Sequence, residues 1–239
     1  GYSYATRSIR DPEKLPQAAE LTPYDIVVWS SPQDAPGLIG ADVALRAYLN
    51  QGGRLLISGQ DIGYWDGGGN PFYYSAFFRD YLHARYLADS ASTSQLFGLP
   101  SEPFAGLTLT LNTLDSDRNQ RFPDVVAAAD DRGAAVLAYS GDGGAGLRAE
   151  VCLPYRVLYL SFGLEGAGPR VNRLAVLDRG IAWLMAQPVE REVRLSPAEQ
   201  RHIGAAGSTV TGTVDLWNTG RLSDTYRLAL GDSPWPVSL

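Results

Sequence analysis

Residues 54–63 read RLLISGQDIG, and this stretch decides the fold. The apolar run 54–58 is typical of a buried strand, and Gly59-Gln60-Asp61-Ile62-Gly63 follows it directly. A glycine on each side of one central residue has the spacing of a nucleophile elbow, where a strand turns so sharply that only glycine fits. The central residue is Asp61, where acyl-transfer enzymes carry serine or cysteine. The stretch therefore predicts a sharp turn after a strand, without the usual reactive atom.

The length and composition limit how large a core the protein can bury and which classes of partner it can bind. The 239 residues, 45% of them hydrophobic, suffice for one full-sized core and part of a second. A net charge of -6 and the lack of a Lys/Arg cluster argue against nucleic acid as a partner. The single cysteine, Cys152, excludes a disulfide framework within the chain and is expected to be a buried, inert thiol. No apolar run is long enough to predict a membrane span.

Residues 1–187 alternate between strand and helix patterns. The predicted strands are 2–8, 24–30, 54–58, 107–111, 134–139 and 157–162. The predicted helices are 40–51, 74–87 and 172–186, the last with Pro188 just past its end. This alternation predicts an α/β domain with a flavodoxin-like, doubly wound and mainly parallel sheet. The Gly-rich segment 141–146 reads as a hairpin or flexible loop.

The pattern changes after residue 187, where no helical period remains. Strand-like segments occur at 191–195, 209–217 and 225–230, with a turn at 218–220. We therefore expect residues 188–239 to be a partial antiparallel β-sandwich of Ig-like type. Since about 50 residues cannot close such a sandwich, we expect the chain to be a piece of a longer protein.

Four consecutive features resemble the class I glutamine amidotransferase-like superfamily. They are the strand 24–30, the helix that ends in Tyr48-Leu49-Asn50-Gln51-Gly52-Gly53, the strand 54–58 and the turn 59–63. Within it, the chain looks most like the non-enzymatic or uncharacterised domains appended to bacterial secreted proteins, particularly subtilisin-like peptidases. Residues 214–220 and 224–226 resemble the bacterial Ig-like modules that often follow such domains. The resemblance implies a secreted or cell-surface protein whose partners are other domains of the same chain.

The resemblance also allows the catalytic residues of the family to be compared with this sequence. Active members carry cysteine at the elbow and a His-x-Glu pair at the end of a later strand. Here Asp61 occupies the cysteine position, and Ser161-Phe162-Gly163-Leu164-Glu165 keeps a glutamate but has no histidine. The two histidines, His83 and His202, fall on a predicted surface helix and in the β tail. We therefore expect no amidase activity.

The family usually begins with a further strand and helix before the segment that matches residues 1–8. Those elements lie at the centre of the usual sheet. Their absence from this sequence predicts either an exposed strand edge or a gap that another chain fills.

Asp61 has two interpretations. A carboxylate on a strained turn can act as a nucleophile or general base, and a pairing with Glu165 at the C-terminal edge of the sheet would suit a hydrolase. Alternatively, Asp61 caps the segment that follows or anchors the loop 67–69 through hydrogen bonds. The structural interpretation is the one we favour from sequence.

Two further groups of residues are candidates for ligands. Aromatic residues between Tyr64 and Phe78 surround Asp66 and Asn70, so Asp61, Tyr64, Trp65, Asp66 and Asn70 form a candidate site for carbohydrate or another small ligand. The other interpretation is that these rings fill the core. Asp115, Asp117 and Asn119 alternate as calcium ligands do, and Asp124, Asp130 and Asp131 are possible additions. This segment lacks the EF-hand glycine and glutamate, so a solvated acidic loop is the simpler interpretation.

Three functions follow from these observations. The first is a non-catalytic ancillary domain, serving as spacer, interaction surface or weak ligand-binding module of a larger secreted protein, with no cofactor. The second is a hydrolase that uses Asp61 and Glu165. The third is a carbohydrate-binding module that uses the aromatic cluster.

Overall fold

The structure is a computed structural model that describes residues 2–10, 14–32, 34–186, 191–196, 200–205, 207–218, 220, 222, 224–231, 233 and 236–238. Contacts between Cα atoms divide the chain into two units, residues 1–187 and residues 188–239. The division falls where the apolar pattern of the sequence changes.

The described part of the first unit contains five α-helices and ten strands. The helices are α1 (Ala18–Leu21), α2 (Asp42–Asn50), α3 (Ile62–Asp66), α4 (Ala76–Asp80) and α5 (Arg170–Met185). The strands are β1 (Val27–Ser30), β2 (Arg54–Ser58), β3 (Ala84–Ala88), β4 (Gln95–Gly98), β5 (Thr108–Leu111), β6 (Val125–Ala128), β7 (Gly133–Tyr139), β8 (Gly144–Ala149), β9 (Arg156–Leu160) and β10 (Ala167–Gly168). A 3-10 helix, Leu164–Gly166, lies between β9 and β10.

The ten strands form one mixed sheet in the order β1-β2-β9-β8-β7-β4-β5-β10, to which β6 is attached through β8 and β3 through β6. The pairings β1–β2 and β2–β9 are parallel. The other seven pairings are antiparallel. The prediction of an α/β domain is confirmed, and its parallel part consists of β1, β2 and β9. The hairpin predicted at 141–146 is confirmed as the β7–β8 connection.

Helices cover both faces of this parallel part. Successive side chains of a strand point to opposite faces, so β2 contributes to two separate cores. Leu55 belongs to the same buried cluster as Leu49 of α2. Leu56 belongs to the other buried cluster, together with Val176 of α5. A Cβ atom on Gly180 would lie 3.2 Å from Leu56 Cδ1, so α5 approaches the sheet closely at this glycine.

β1 is the last strand of the sheet, and among the described residues no strand pairs with its outer edge. A cavity of about 710 Å³ lies there, lined by residues 5–10 on one side and by β1 on the other. Val28 of β1 is 53% exposed. In the described part of the chain, β1 is therefore an edge strand of the sheet. The strand predicted at 2–8 is wrong, because residues 2–10 form no strand.

The helix predicted at 74–87 is also wrong. The chain leaves α4 after five residues, turns at His83 with φ of 50°, and continues as β3, which pairs antiparallel with β6. Long-range pairing overrides the local helical pattern here. His83 is consequently buried rather than on a surface helix.

Cys152 is exposed, contrary to the sequence-based expectation, since it lies in a turn with φ of 55°.

The second unit contains the antiparallel pair β11 (Val193–Ser196) and β12 (Asp215–Asn218). The predicted strand at 225–230 is not a strand. Two predicted features, Pro188 as the end of the last helix and Thr219 in the turn 218–220, lie outside the described residues.

Candidate functional site

The elbow between β2 and α3 has the geometry that its glycines predict. A Cβ atom on Gly59 would lie 2.1 Å from the backbone carbonyl oxygen of Ser31, a distance that no side chain tolerates. A Cβ atom on Gly63 would lie 2.9 Å from Asp124 Oδ2 and 3.1 Å from Tyr86 Cδ2. The two glycines therefore allow the turn to pack against β1 on one side and against Asp124 on the other.

Asp61 lies at the N-cap position of α3 with φ of -113° and ψ of 13°. Its carbonyl oxygen accepts a hydrogen bond from Trp65 N at 3.0 Å. Its partly buried carboxyl makes no capping hydrogen bond, so the prediction that Asp61 caps the following segment is wrong.

Asp124, which lies just before β6, provides the cap instead. Its Oδ2 atom accepts hydrogen bonds from the backbone amides of Gly63 at 2.6 Å and Tyr64 at 3.2 Å. These are free amides of the first helical turn, which a carboxylate commonly satisfies. Asp124 is completely buried, and the Ser161 hydroxyl donates to its carbonyl oxygen at 2.6 Å. Sequence reasoning considered Asp124 only as an addition to a calcium loop.

Gln60 connects the elbow to the segment that precedes β6. Its Oε1 atom accepts hydrogen bonds from Arg121 N at 2.7 Å and Phe122 N at 3.1 Å. Its Nε2 atom donates to the carbonyl oxygens of Pro32 at 3.0 Å and Asn119 at 3.2 Å. The side chain is 3% exposed, so Gln60 is a structural residue of the turn.

The electrostatics of the elbow are uniformly acidic. Burial, and then the negative charges of Asp89 and Asp34, raise the pKa of Asp61 from 3.8 to about 6. Burial raises the pKa of Asp124 well above its ordinary value, and the charges of Asp61 and Asp89 act in the same direction. Burial also raises the pKa of Asp89. Sequence reasoning missed Asp34 and Asp89, because nothing in the local pattern places them beside the elbow.

Both histidines have hydrogen-bonding neighbours within their own units. His83 has its Nδ1 atom 2.9 Å from Asp130 Oδ2 and its Nε2 atom 3.1 Å from the Tyr155 hydroxyl. His202, in the second unit, has its Nε2 atom 2.7 Å from Gln200 Oε1. Each histidine is therefore engaged with other partners.

Glu165 lies in the 3-10 helix after β9 and is bound to polar neighbours. Its Oε1 atom accepts hydrogen bonds from Asn119 Nδ2 at 3.0 Å and Gln120 Nε2 at 3.3 Å. The negative charges that raise the pKa of Asp61 belong to Asp89 and Asp34, and Glu165 is not among them. Glu165 is therefore held by the segment that precedes β6.

The aromatic segment after the elbow is divided between core and surface. Phe77 and Phe78 are buried, Tyr64 and Trp65 pack edge to face with ring centroids 5.2 Å apart, and Phe72 is 95% exposed. The core interpretation thus holds for part of the cluster.

The polar residues of this segment have structural partners. Asp66 is completely buried, and its Oδ2 and Oδ1 atoms accept hydrogen bonds from Gly37 N at 2.8 Å and Leu38 N at 3.1 Å. Asn70 Oδ1 accepts a hydrogen bond from Phe72 N at 2.9 Å.

Two of the three calcium candidates, Asp115 and Asn119, make hydrogen bonds to other residues. Asp115 accepts hydrogen bonds from Thr113 Oγ1 at 2.6 Å and Arg170 N at 2.6 Å, and these hydrogen bonds lower its pKa. Asn119 donates to Glu165. Over the described residues, no group of three or more His, Cys, Asp or Glu side chains is arranged to hold a metal ion.

Comparisons with known proteins add little to this geometry. No protein-family model matches the sequence, and no curated protein sequence matches it. Among solved structures, the chain is similar to the mmIFT52 N-terminal domain, with 11% sequence identity, a TM-score of 0.49, and coverage of 76% of this chain and 84% of that one. A likeness at this level carries no functional argument. None of the described helices is long and apolar enough to cross a membrane.

Proposed function

We propose that the chain is a non-catalytic ancillary domain of a larger secreted bacterial protein of the subtilisin-like peptidase kind. The observation that supports this is the electrostatic surroundings of Asp61, where the charges that raise its pKa belong to two further carboxyls, Asp89 and Asp34. A carboxyl pair works in hydrolysis when one member is protonated and the other is ionised. Glu165, the carboxyl that the sequence suggests as the second member of such a pair, instead accepts hydrogen bonds from Asn119 and Gln120.

The ancestry that we propose is a degenerate glutamine amidotransferase-like domain with a flavodoxin-like, doubly wound sheet. The parallel strands β1, β2 and β9, with α2 and α5 on opposite faces, support this proposal. The antiparallel strands β3 to β8 come between β2 and β9 in the chain, as an insertion would. The secreted location, the parent peptidase and the Ig-like nature of residues 188–239 belong to the same proposal.

Assays of turnover test the non-catalytic proposal. We expect the wild-type chain and Asp61→Asn to release product at the same background rate from p-nitrophenyl esters, p-nitrophenyl glycosides and L-glutamine between pH 5 and 8. Turnover that disappears in both Asp61→Asn and Glu165→Gln, with circular dichroism unchanged, would establish the alternative hydrolase. Turnover that disappears only in Asp61→Asn would assign activity to Asp61 without Glu165.

A second candidate function is carbohydrate binding at the exposed part of the aromatic segment. Phe72 is 95% exposed and Tyr74 is 50% exposed, and the two are separated by one residue. Exposed aromatic faces stack on sugar rings, and leaving them in water without a ligand is unfavourable. This candidate uses Phe72 and Tyr74 rather than the residues of the sequence-based site that are engaged in structural contacts.

Retention on insoluble polysaccharide tests this second candidate. We expect the double variant Phe72→Ala/Tyr74→Ala to lose about 90% of any retention on cellulose, chitin or peptidoglycan, which corresponds to a roughly tenfold loss of affinity. Tyr4→Ala is the matched control, because Tyr4 is 88% exposed and lies elsewhere in the sequence. Equal retention of all three proteins would remove the candidate.

A further inference from the structure

The two carboxyl oxygens of Asp124 have very different surroundings. Oδ2 accepts the two amide hydrogen bonds that hold α3 in place. Oδ1 is buried and has no hydrogen-bond partner among the described residues. The hydroxyl groups of Tyr139 and Tyr159 are likewise buried and have no partner in the described part of the chain. The negative charge of Asp124 raises the pKa of both Tyr139 and Tyr159, so these three residues interact electrostatically.

We infer that Asp124 carries a proton in the folded protein, so that the elbow is held by a neutral carboxylic acid and loses stability as the pH rises. An ionised Asp124 would place negative charge on a buried oxygen that accepts no hydrogen bond from the described residues, which is strongly unfavourable. A carboxylic acid keeps Oδ2 as the acceptor for the amides of Gly63 and Tyr64. It also removes the negative charge from Oδ1, which has no hydrogen-bond partner among the described residues.

The groups around Asp124 favour the neutral form. The titratable groups that interact with it from the neighbouring elements are Asp61, Tyr86, Asp89, Tyr139 and Tyr159. Two of these groups, Asp61 and Asp89, are carboxyls. When they are ionised, they repel a further negative charge on Asp124. Ser161 lies beside Tyr139, but its hydroxyl is directed to the carbonyl oxygens of Asp124 and Ala145. The hydrogen bonds that Oδ2 accepts from backbone amides lower the pKa of Asp124. Burial raises it, and burial is the larger effect.

The sign of the pH dependence follows from proton binding. In the unfolded chain, Asp124 releases its proton near pH 4. The folded protein retains that proton to higher pH, so it binds more protons than the unfolded chain above this point. Its stability therefore falls as the pH rises through this range, and the contribution of Asp124 raises the unfolding equilibrium constant tenfold per pH unit.

Urea unfolding of the 239-residue chain between pH 4 and 8, compared with Asp124→Asn, tests the inference. The asparagine keeps an oxygen for the two amides and places an NH₂ donor where Oδ1 lies. We expect the two proteins to agree within threefold in unfolding constant at pH 4. At pH 7 we expect the unfolding constant of Asp124→Asn to be at least tenfold smaller than that of the wild type.

Asp66→Asn is the matched control. Both carboxyl oxygens of Asp66 accept backbone amides, so an asparagine there must lose one acceptor. We expect this variant to be less stable than the wild type at pH 4, which shows that replacing a buried Asp with Asn does not stabilise this protein in general.

Two results would overturn the inference. One is that Asp124→Asn is less stable than the wild type at pH 7, and that this difference in stability is larger at pH 7 than at pH 4. The other is an unchanged difference across the whole pH range. If Asp124→Asn does not fold, the ¹³Cγ resonance of Asp124 in the wild type decides the question. A titration midpoint above about pH 5 supports a retained proton, and a midpoint near or below pH 4 contradicts it.

Discussion

Gly59→Ala is expected to destabilise residues 1–187 by about 3 kcal/mol or more, at the upper end of what overpacking costs. The new Cβ atom would lie 2.1 Å from the carbonyl oxygen of Ser31. That oxygen cannot move aside easily, because Ser31 N donates to Ser58 O at 2.8 Å and Gly59 N donates to Leu160 O at 3.2 Å. The strands β1, β2 and β9 would have to separate at their C-terminal ends to admit one methyl group. Urea unfolding measured by far-UV circular dichroism checks the magnitude.

Gly231→Ala is the control for this experiment. Among the described residues, nothing beyond its chain neighbours lies within 4 Å of the position that its Cβ atom would occupy, so we expect a change within about 0.5 kcal/mol. A Gly59→Ala variant that unfolds within about 1 kcal/mol of the wild type would mean that the elbow relaxes more freely than its packing indicates.

Asp66→Ala is expected to cost about 2–4 kcal/mol at pH 4, because it leaves the buried amides of Gly37 and Leu38 without their acceptors. The penalty should become smaller between pH 4 and pH 7. Burial raises the pKa of Asp66 to about 7, so the folded protein keeps a proton that the unfolded chain releases near pH 4. The stability that Asp66 contributes is therefore fully present below pH 4 and declines as the pH rises.

Asp80→Ala provides the comparison for Asp66. The Asp80 carboxyl is largely exposed and pairs with Arg79 at 2.8 Å, an arrangement that contributes little to stability. We expect Asp80→Ala to change stability by less than about 0.5 kcal/mol at both pH values. A penalty for Asp66→Ala that increases from pH 4 to pH 7 would contradict the explanation given for Asp66.

The parts of the fold that sequence predicts well are those whose partners are near in the chain. The apolar run of β2, the glycines of the elbow and the long helix α5 are local patterns, and the structure contains each of them. The helix predicted at 74–87 fails for the opposite reason. Its second half pairs with β6, a strand about forty residues later, and that pairing determines the conformation of residues 84–88.

The candidate site also shows that local sequence patterns do not predict contacts between distant residues. Asp61 can be recognised from its two flanking glycines, but its lack of a capping bond depends on Asp124, which is 61 residues from Gly63. The neighbours Asp34 and Asp89 are visible in the sequence as ordinary acidic residues. Only their position beside the elbow makes them relevant, since it raises the pKa of Asp61.

The sequence by itself determined the strand, the sharp turn and the aspartate at its centre, because glycine spacing and residue identity are local properties. The tertiary structure decided which carboxyl holds the turn, which carboxyls surround Asp61, and which strand is left at the edge of the sheet. Those properties depend on burial and on distances between residues far apart in the chain. Local sequence patterns do not contain such distances, so the chemistry of the elbow emerges only when β2, α3 and the residues before β6 pack together.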